Sequence, residues 1–571
     1  MTISEIRRRH AGSPFESADM HPVLRRVYAA RGIVLSELDL SLERLLPVAS
    51  LPGVEAAARL LAAHRRQGRI VVIGDYDADG ATSSALVVRA LRAMRFNHVE
   101  FLVPDRFRFG YGLTPEIVGE AASRQPSLLV TVDNGVSSIE GVECARERGI
   151  AVLVTDHHLP GRELPRADAI VNPNMAGSTF GSRDLAGVGV AFYVMAALAR
   201  ELGEHVFRVA DLLDLVALGT VADVVPLDRN NRILVAQGLR RIRAGRCVAG
   251  ILALVDASGR SVARLTAADL GFAVAPRLNA AGRLTDMSVG IACLLADEPD
   301  TAAALAAQLS RLNDERRAIE LRMQAEAVRI AASQRLDASG VESPGLCLFE
   351  ADWHQGVVGL VAGRIKERVN RPVIAFARCL DGTLRGSARS VAGINIRDTL
   401  ESIAVRHPGM ILKFGGHPMA AGLNLRESAL QVFRAAFCAE VAARAGADAF
   451  TGIVHSDGEL SGDELSVETA RALRNAGPWG QGFPEPIFDG EFTVLDARVV
   501  GGKHLKLQLA PCAQAAPASG IDAIAFGGAD VMADAGSMAR GRRLHVAYRL
   551  EVDQYRGGES AQLNCQHLMP A

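Results

Sequence analysis

Short apolar runs separated by helix-period stretches set the pattern of the first third of the chain. The runs at 70–73, 99–103, 128–132, 151–154 and 169–171 each read as a short buried strand. Helical stretches lie between most of them, the signature of βαβ units feeding a parallel, doubly wound sheet. Residues 185–297 read as mostly helical, with polar loops at 219–231 and 275–288. From Pro299 to Leu336 the chain is rich in Ala, Leu, Arg, Glu and Gln, with no internal Gly or Pro. That stretch predicts one connector helix spanning roughly 55 Å at 1.5 Å per residue. A second, smaller α/β unit follows, with strands near 346–350 and 372–377 and a Gly-rich loop at 415–422. The tail reads as β, with strands at 491–500, 505–509, 522–526, 544–552 and 561–567. Five strands of this spacing fit a small barrel of the OB type. The expected divisions are an N-terminal segment 1–50, a first α/β domain 51–298, a connector helix 299–336, a second α/β domain 337–450 and a barrel 451–571.

Composition narrows the class. A chain of 571 residues is too long for one ordinary core, and 49% hydrophobic with 22% charged residues is typical of a globular protein. The net charge of -1 leaves any polyanion site to local basic clusters. The N-terminus lacks the apolar region of a signal peptide, and the longest apolar run, Gly187 to Ala199, suits a buried helix rather than a membrane span. Eight scattered cysteines form no C-x-x-C pair, which argues against a zinc site or disulfide framework and for a reducing cytoplasm.

Candidate chemistry begins where the strands end. Asp75, Asp77 and Asp79 follow the first strand within five residues. Carboxylates so crowded call for raised pKa values or a bound cation, and oxygen ligands suit Mg²⁺, Mn²⁺ or Ca²⁺. An EF-hand is excluded, because its twelfth position needs a bidentate Glu and Leu86 stands there. Asp133 follows the third strand, and Asp156-His157-His158 follows the fourth. In an open α/β sheet ligands bind beyond the carboxyl ends of the strands, so these groups should converge. A single Asp there is commonly only a cap; three strand ends together point to a cation site. One of the two His could bind metal while the other faces substrate, with Asp156 holding an imidazole N–H from behind. Asp223, in an apolar stretch, needs a metal, a buried Arg or a backbone partner. Arg106 and Tyr111 lie in an Arg- and aromatic-rich segment on the same sheet edge and suit phosphate contact and stacking. The loops at 385–390 and 415–417, with Ser387, Arg389, Gly415, Gly416 and His417, could cradle a phosphate. Trp479 and Phe483 offer either stacking faces or core.

The ordered runs GDYDADG, PDRFRFGYGL, VDNG, TDHH and GTVADVVPL resemble the DHH phosphoesterase superfamily. PRLNAAGRL, HQGVVGLVAGRI, GSARS and FGGHPMAAG extend the resemblance through the DHH-associated domain. PWGQGFPEPIF and the β-rich tail make it similar to the RecJ group, bacterial 5′→3′ exonucleases specific for single strands. The resemblance covers roughly residues 45–571. It implies two divalent cations, Mn²⁺ or Mg²⁺, held by Asp75, Asp77, Asp79, Asp133, His157 and Asp223, with Asp133 bridging. It implies that His158 faces the scissile phosphate and that Arg389 helps neutralise it. Arg106, Tyr111, Asn279, Arg283, Ser387, Arg389 and His417 match positions that contact the DNA strand or its phosphates. Other superfamily members carry a His where this chain has Ile73, leaving Asp75 to take over that acidic duty. The implied activity is hydrolysis of single-stranded DNA in recombination and repair, by a cytoplasmic monomer working beside a single-strand-binding protein and a helicase, with no membrane. Two other readings stay open: the same chemistry on small nucleotides, and a strand-binding scaffold without catalysis.

Overall fold

The computed structural model describes all residues except 1–2, 11, 13–18, 105–111, 204–206, 335–341, 447, 513–519, 530–538 and 555–556. Strand β1 (Ile3–Arg8) belongs structurally to the far end of the chain. The first lobe is built on β2 (Arg69–Ile73), β3 (His98–Leu102), β4 (Leu128–Val132), β5 (Ala151–Thr155) and β6 (Ala169–Val171). All pairings are parallel, in the order β3-β2-β4-β5-β6. Alternate residues feed opposite cores. Ile70 and Val72 pack with the helices Ala78–Ala93 and Gly187–Glu201, whereas Val71 and Ile73 pack with Pro115–Ala122 and Ile139–Glu147. Both faces are therefore covered, which is why these strands read as unbroken apolar runs. The winding direction reverses between β2 and β4, and the crevice beyond their carboxyl ends is where such folds bind ligands.

The second lobe holds β7 (Leu346–Phe349), β8 (Val373–Arg378), β9 (Thr383–Arg389), β10 (Ile411–His417) and β11 (Ala420–Arg426), in the order β10-β11-β9-β8-β7. The segments expected as loops at 385–390 and 415–422 are thus largely strand, with a two-residue turn between β10 and β11. Gly386 is required inside its strand because a Cβ there would stand 2.5 Å from Phe376 and 2.6 Å from Leu423. The expected polar loop at 275–288 is also corrected: Ala275–Leu284 is a helix, with Pro276 in its first turn.

The connector helix Pro299–Gln334 joins the lobes. Ala306 and Leu309 pack in the first-lobe core, and Met323, Ala327 and Ala331 pack in the second with Trp353 and Val361. Between these apolar ends lies a buried polar stretch. Arg316 donates to Asn313 (2.6 Å) and to Glu320, which also accepts from Arg364 (3.4 Å).

β12 (Gly452–Ser456) pairs in parallel with β1. β13 (Phe488–Val500), β14 (His504–Pro511), β15 (Ile521–Ala525), β16 (Arg543–Asp553) and β17 (Ser560–Pro570) close a barrel in the order β13-β14-β15-β17-β16. Trp479 and Phe483 are stacked on each other with centroids 4.9 Å apart. Arg31 lies over Trp479 at 5.5 Å and Arg232 over Phe483 at 4.3 Å. The adjoining Gln481 carbonyl accepts the Leu227 N–H at 2.7 Å. These rings form a joint between the N-terminal segment, the first lobe and the barrel domain.

Arg31 also donates to Asp457 (2.7 Å), and both side chains are buried. Replacing Asp457 by Ala leaves that guanidinium without its counterion, a loss of about 3 kcal/mol for a buried pair. D457A should lower the denaturant midpoint of the transition reported by Trp479 fluorescence.

Candidate metal centre

The ends of β2, β4 and β5 deliver their acidic groups through different local devices. After β2, Asp75 accepts from the Tyr76 N–H at 2.7 Å. Asp77 caps the following helix, its Oδ1 accepting from the N–H groups of Asp79 and Gly80, each at 3.0 Å. Asp79 points out of the first turn to a second helix start, accepting from Gly187 N–H (2.7 Å) and Val188 N–H (2.9 Å). After β4, Asp133 has φ +63°, a left-handed conformation that Asp and Asn tolerate better than most residues. Asn134 secures that turn by donating to the carbonyls of Val132 (2.9 Å) and Ile73 (3.2 Å). After β5, the buried Asp156 accepts from the backbone of His157 (2.7 Å), His158 (3.1 Å) and Val136 (2.9 Å). It also lies 2.7 Å from Nδ1 of His158. The imidazole held from behind is therefore that of His158.

These devices bring seven groups together. Nε2 of His157 lies 3.1 Å from Asp133 Oδ1 and 3.5 Å from Asp223 Oδ2, yet it is buried and makes no hydrogen bond among the described residues. A buried ring nitrogen aimed between two carboxylates is what a cation ligand looks like before the cation is counted. Three sets of donor atoms each fall within 4.8 Å: Asp75-Asp77-Asp133, Asp79-His157-Asp223 and Asp133-His157-His158. Asp133 belongs to two of them. A donor set dominated by carboxylate oxygens, five Asp against two His, suits Mn²⁺ and Mg²⁺. Two glycines keep the space open: a Cβ on Gly187 would stand 2.7 Å from Asp133, and one on Gly219 would stand 2.9 Å from Asp79 Oδ1.

The electrostatics agree with this fit. Burial, then the charges of Asp79, Asp77, Asp75 and Asp223, push the Asp133 carboxyl well above its ordinary value. Burial and Asp223 raise Asp79 to about 7, and burial and Asp77 raise Asp223 to about 7. Burial lowers His157, which favours the neutral ring that a metal requires. Burial is the largest influence and opposes charge on His158, but the Asp156 hydrogen bond together with the negative charges of Asp156, Asp75 and Asp223 outweighs it and raises His158 to about 9.

The other expected residues are more dispersed. His417, on β10, brings its ring centroid to 5.6 Å from that of His158, so the second lobe reaches the centre. Arg389 on β9 donates to Ser387 Oγ (3.0 Å) and the Ala388 carbonyl (2.8 Å). Gly359 makes room for both, since a Cβ would stand 2.9 Å from each side chain. Gly415 and Gly416 are exposed on β10, and Gly416 has φ +137°. Arg283 crosses to the second lobe by donating to the Gly356 carbonyl at 3.0 Å. The Asn279 side-chain oxygen is engaged internally: it accepts the Ala78 N–H at 2.9 Å and so supports the Asp77–Asp79 turn. Arg106 and Tyr111 lie outside the described residues. Sequence reasoning missed Asn134, Asn172 and Asn174. Asn172 donates to the His158 carbonyl (2.9 Å) and Asn174 to the His157 carbonyl (2.7 Å), which fixes the His pair from the end of β6. Their one signal was position, since they follow the fifth predicted strand on the same sheet edge.

A parallel sheet that converges carboxylates and a His pair at its switch point defines a metal-dependent phosphoesterase fold of the DHH class. In agreement, the model of the DHH family N-terminal domain matches residues 69–220, the DHHA1 domain matches 342–443 and the RecJ OB domain matches 456–567. The single-stranded-DNA-specific exonuclease RecJ of Dickeya dadantii is 51% identical, covering 100% of this chain and 99% of that protein. The RecJ of Escherichia coli is 49% identical, covering 99% of each. The crystal structure of RecJ in complex with Mn²⁺ from Thermus thermophilus superposes with a TM-score of 0.82 at 31% identity, covering 99% of this chain and 80% of that one. The chain belongs to the RecJ family.

Two outcomes follow from the geometry. A methyl group at Gly187 displaces Asp133, and misplacement of a reacting centre by about 1 Å costs about 100-fold in rate. G187A should therefore lose about that factor in metal-dependent turnover and weaken Mn²⁺ binding by calorimetry. Asp79 and Asp223 have folded values near 7, above the unfolded carboxylate value of about 4. Their favourable contribution is complete below about pH 4 and is lost as the pH rises to about 7. The metal-free protein should therefore melt at a lower temperature at pH 8 than at pH 5, and Mn²⁺ should raise the melting point more at pH 8.

Proposed function

We propose that this chain is an exonuclease that hydrolyses phosphodiester bonds of single-stranded DNA in the 5′→3′ direction, using two divalent cations, Mn²⁺ or Mg²⁺. The observation that carries the reading is the convergence of Asp75, Asp77, Asp79, Asp133, His157 and Asp223 on one crevice, around the unsatisfied Nε2 of His157. Full-length identity with RecJ proteins supports the substrate class. The six residues would hold the cations, with Asp133 as the shared carboxylate. When bound, such ions polarise the scissile phosphate and lower the pKa of a water.

The protein's own side chains then have separable tasks. Asp77 and Asp79 are fixed by helix starts, so the carboxylates keep their geometry without reorganisation. His158, charged up to about pH 9, presents a cation to the phosphate from the side opposite Asp156. His417 and Arg389, with Ser387 beside it, hold the adjoining phosphate oxygens from the second lobe, and Arg283 ties the two lobes beside the strand. The exposed backbone of Gly415 and Gly416 lets a phosphate approach β10 closely. No side-chain nucleophile is required. Arg106 and Tyr111 complete the strand path in this reading.

We also infer that the enzyme works in recombination and repair, as a cytoplasmic monomer beside a single-strand-binding protein and a helicase. All eight cysteines are free, which supports a reducing compartment, and no single helix among the described residues is long and apolar enough to cross a membrane.

The deciding experiment uses single strands labelled at either end, with and without Mn²⁺. Release of label from the 5′ end first, only with the metal, is the expected result; release from the 3′ end first, or metal-independent release, sinks the reading. Asp133→Ala should cost several kcal/mol of transition-state stabilisation, on the order of a thousandfold in turnover.

A further inference from the structure

We propose that Phe272, exposed on the helix that carries Asn279 and Arg283 toward the metal centre, is a base-stacking residue of the strand path. This rests on the exonuclease reading and adds to it a contact made to a base rather than to a phosphate.

The helix that leads to Asn279 and Arg283 does not run evenly. It starts at a capping box formed by Thr266 and Asp269, passes through a single π-turn at Leu270–Val274, and continues as Ala275–Leu284. Such a turn inserts one extra residue, and π-turns recur at functional sites. Here Leu270 and Val274 are fully buried, whereas Phe272 is turned outward and is 83% exposed. It is the most exposed aromatic among the described residues. The turn is braced: the Arg277 guanidinium donates to the Ala273 carbonyl, to Ser310 Oγ (2.9 Å) and to the Ala257 carbonyl (3.0 Å). The phenyl ring is thus presented to solvent on a fixed support.

A single exposed apolar side chain is ordinary. Three things set this one apart. Gly271 seats the turn against Val221, to whose Cγ1 a Cβ would stand at 3.2 Å. The Val221 carbonyl in turn accepts the Val224 N–H at 3.3 Å. Between them lies Asp223, 3.5 Å from Nε2 of His157. Val224 itself has φ +63°, a strained conformation for a β-branched residue, and its side chain is exposed. Two backbone irregularities therefore leave two apolar side chains exposed, Val224 next to a cation-ligand position in the chain and Phe272 on the turn that packs against Val221. A flat exposed ring on the helix that reaches a centre cleaving single strands fits the face of an unstacked base. Stacking of this kind accepts any base, as an exonuclease without sequence preference needs. The same helix supports the Asp77–Asp79 turn through Asn279, so a base seated on Phe272 rests on the element that holds the ligands in place.

The test uses the full-length protein as wild type, F272A and F272W. Each is titrated in EDTA with fluorescent single-stranded oligonucleotides carrying one abasic position, moved stepwise from the 5′ end. Turnover of the intact oligonucleotide is measured with Mn²⁺. The expected result is binding weaker by roughly five- to a hundredfold in F272A, a raised KM with little change in kcat, and recovery in F272W. One abasic position should weaken the wild type while leaving F272A unchanged. The proposal is overturned if F272A binds like the wild type, or if every abasic position costs both proteins equally. A wild type that degrades no single strand overturns the exonuclease reading itself, whereas an active wild type with an indistinguishable F272A removes only the stacking role.

Discussion

Buried negative charge is the constraint on which the first lobe depends. Asp75, Asp79 and Asp133 are almost wholly removed from water, and Asp77 and Asp223 lie close enough to raise their neighbours' pKa values. A cluster of this kind can fold only with protons or cations to offset it. The surrounding structure makes the arrangement tolerable rather than comfortable. Helix starts donate to Asp77 and Asp79, a left-handed turn aims Asp133, and Gly187 and Gly219 surrender their side chains to keep the carboxylates close. Stability is conceded locally so that a charged crevice exists when a divalent ion arrives, a common feature of sites that do chemistry.

The second lobe solves a different problem. A metal crevice alone grips a phosphate from one side. β10 brings His417 to His158, while Arg389 and Ser387 pack beside the Gly359 gap on β9, the next strand but one. The connector helix has an apolar stretch in each core and the Asn313-Arg316-Glu320 network at its middle. Buried polar groups bind less strongly than packed apolar ones but demand one geometry. At the seam between two lobes, that demand fixes how they face each other.

Much of this was legible in the chain because both-faces-buried strands leave apolar runs and because ligands follow strand ends. All five strands of the first sheet and all five of the barrel fall within a few residues of expectation. Illegibility had specific causes. The segments around Arg389 and Gly416 read as loops because Gly and small polar residues hide a strand whose core contacts come from alternate positions. The helix at Ala275–Leu284 was hidden by Pro276 and an uneven polar pattern. Asn279 matched a strand-contacting position, yet its oxygen is engaged by Ala78 N–H, a long-range hydrogen bond that no local pattern encodes. Asn172 and Asn174 look like ordinary turn formers until the carbonyls they hold are seen to belong to His157 and His158.

The pairing of β1 with β12 has a consequence for how the molecule is made. Ile3–Arg8 leaves the ribosome about 450 residues ahead of its partner Gly452–Ser456. At typical synthesis rates of 5–20 residues per second, the early strand waits roughly 20 to 90 seconds for the edge it completes. Throughout that interval it is an unpaired strand that a second nascent chain could capture. Its composition, Ile-Ser-Glu-Ile-Arg-Arg, places charge along that edge. The residues that later bind Glu5 and Asp489 thus also act as a guard during translation, before there is any barrel for them to hold.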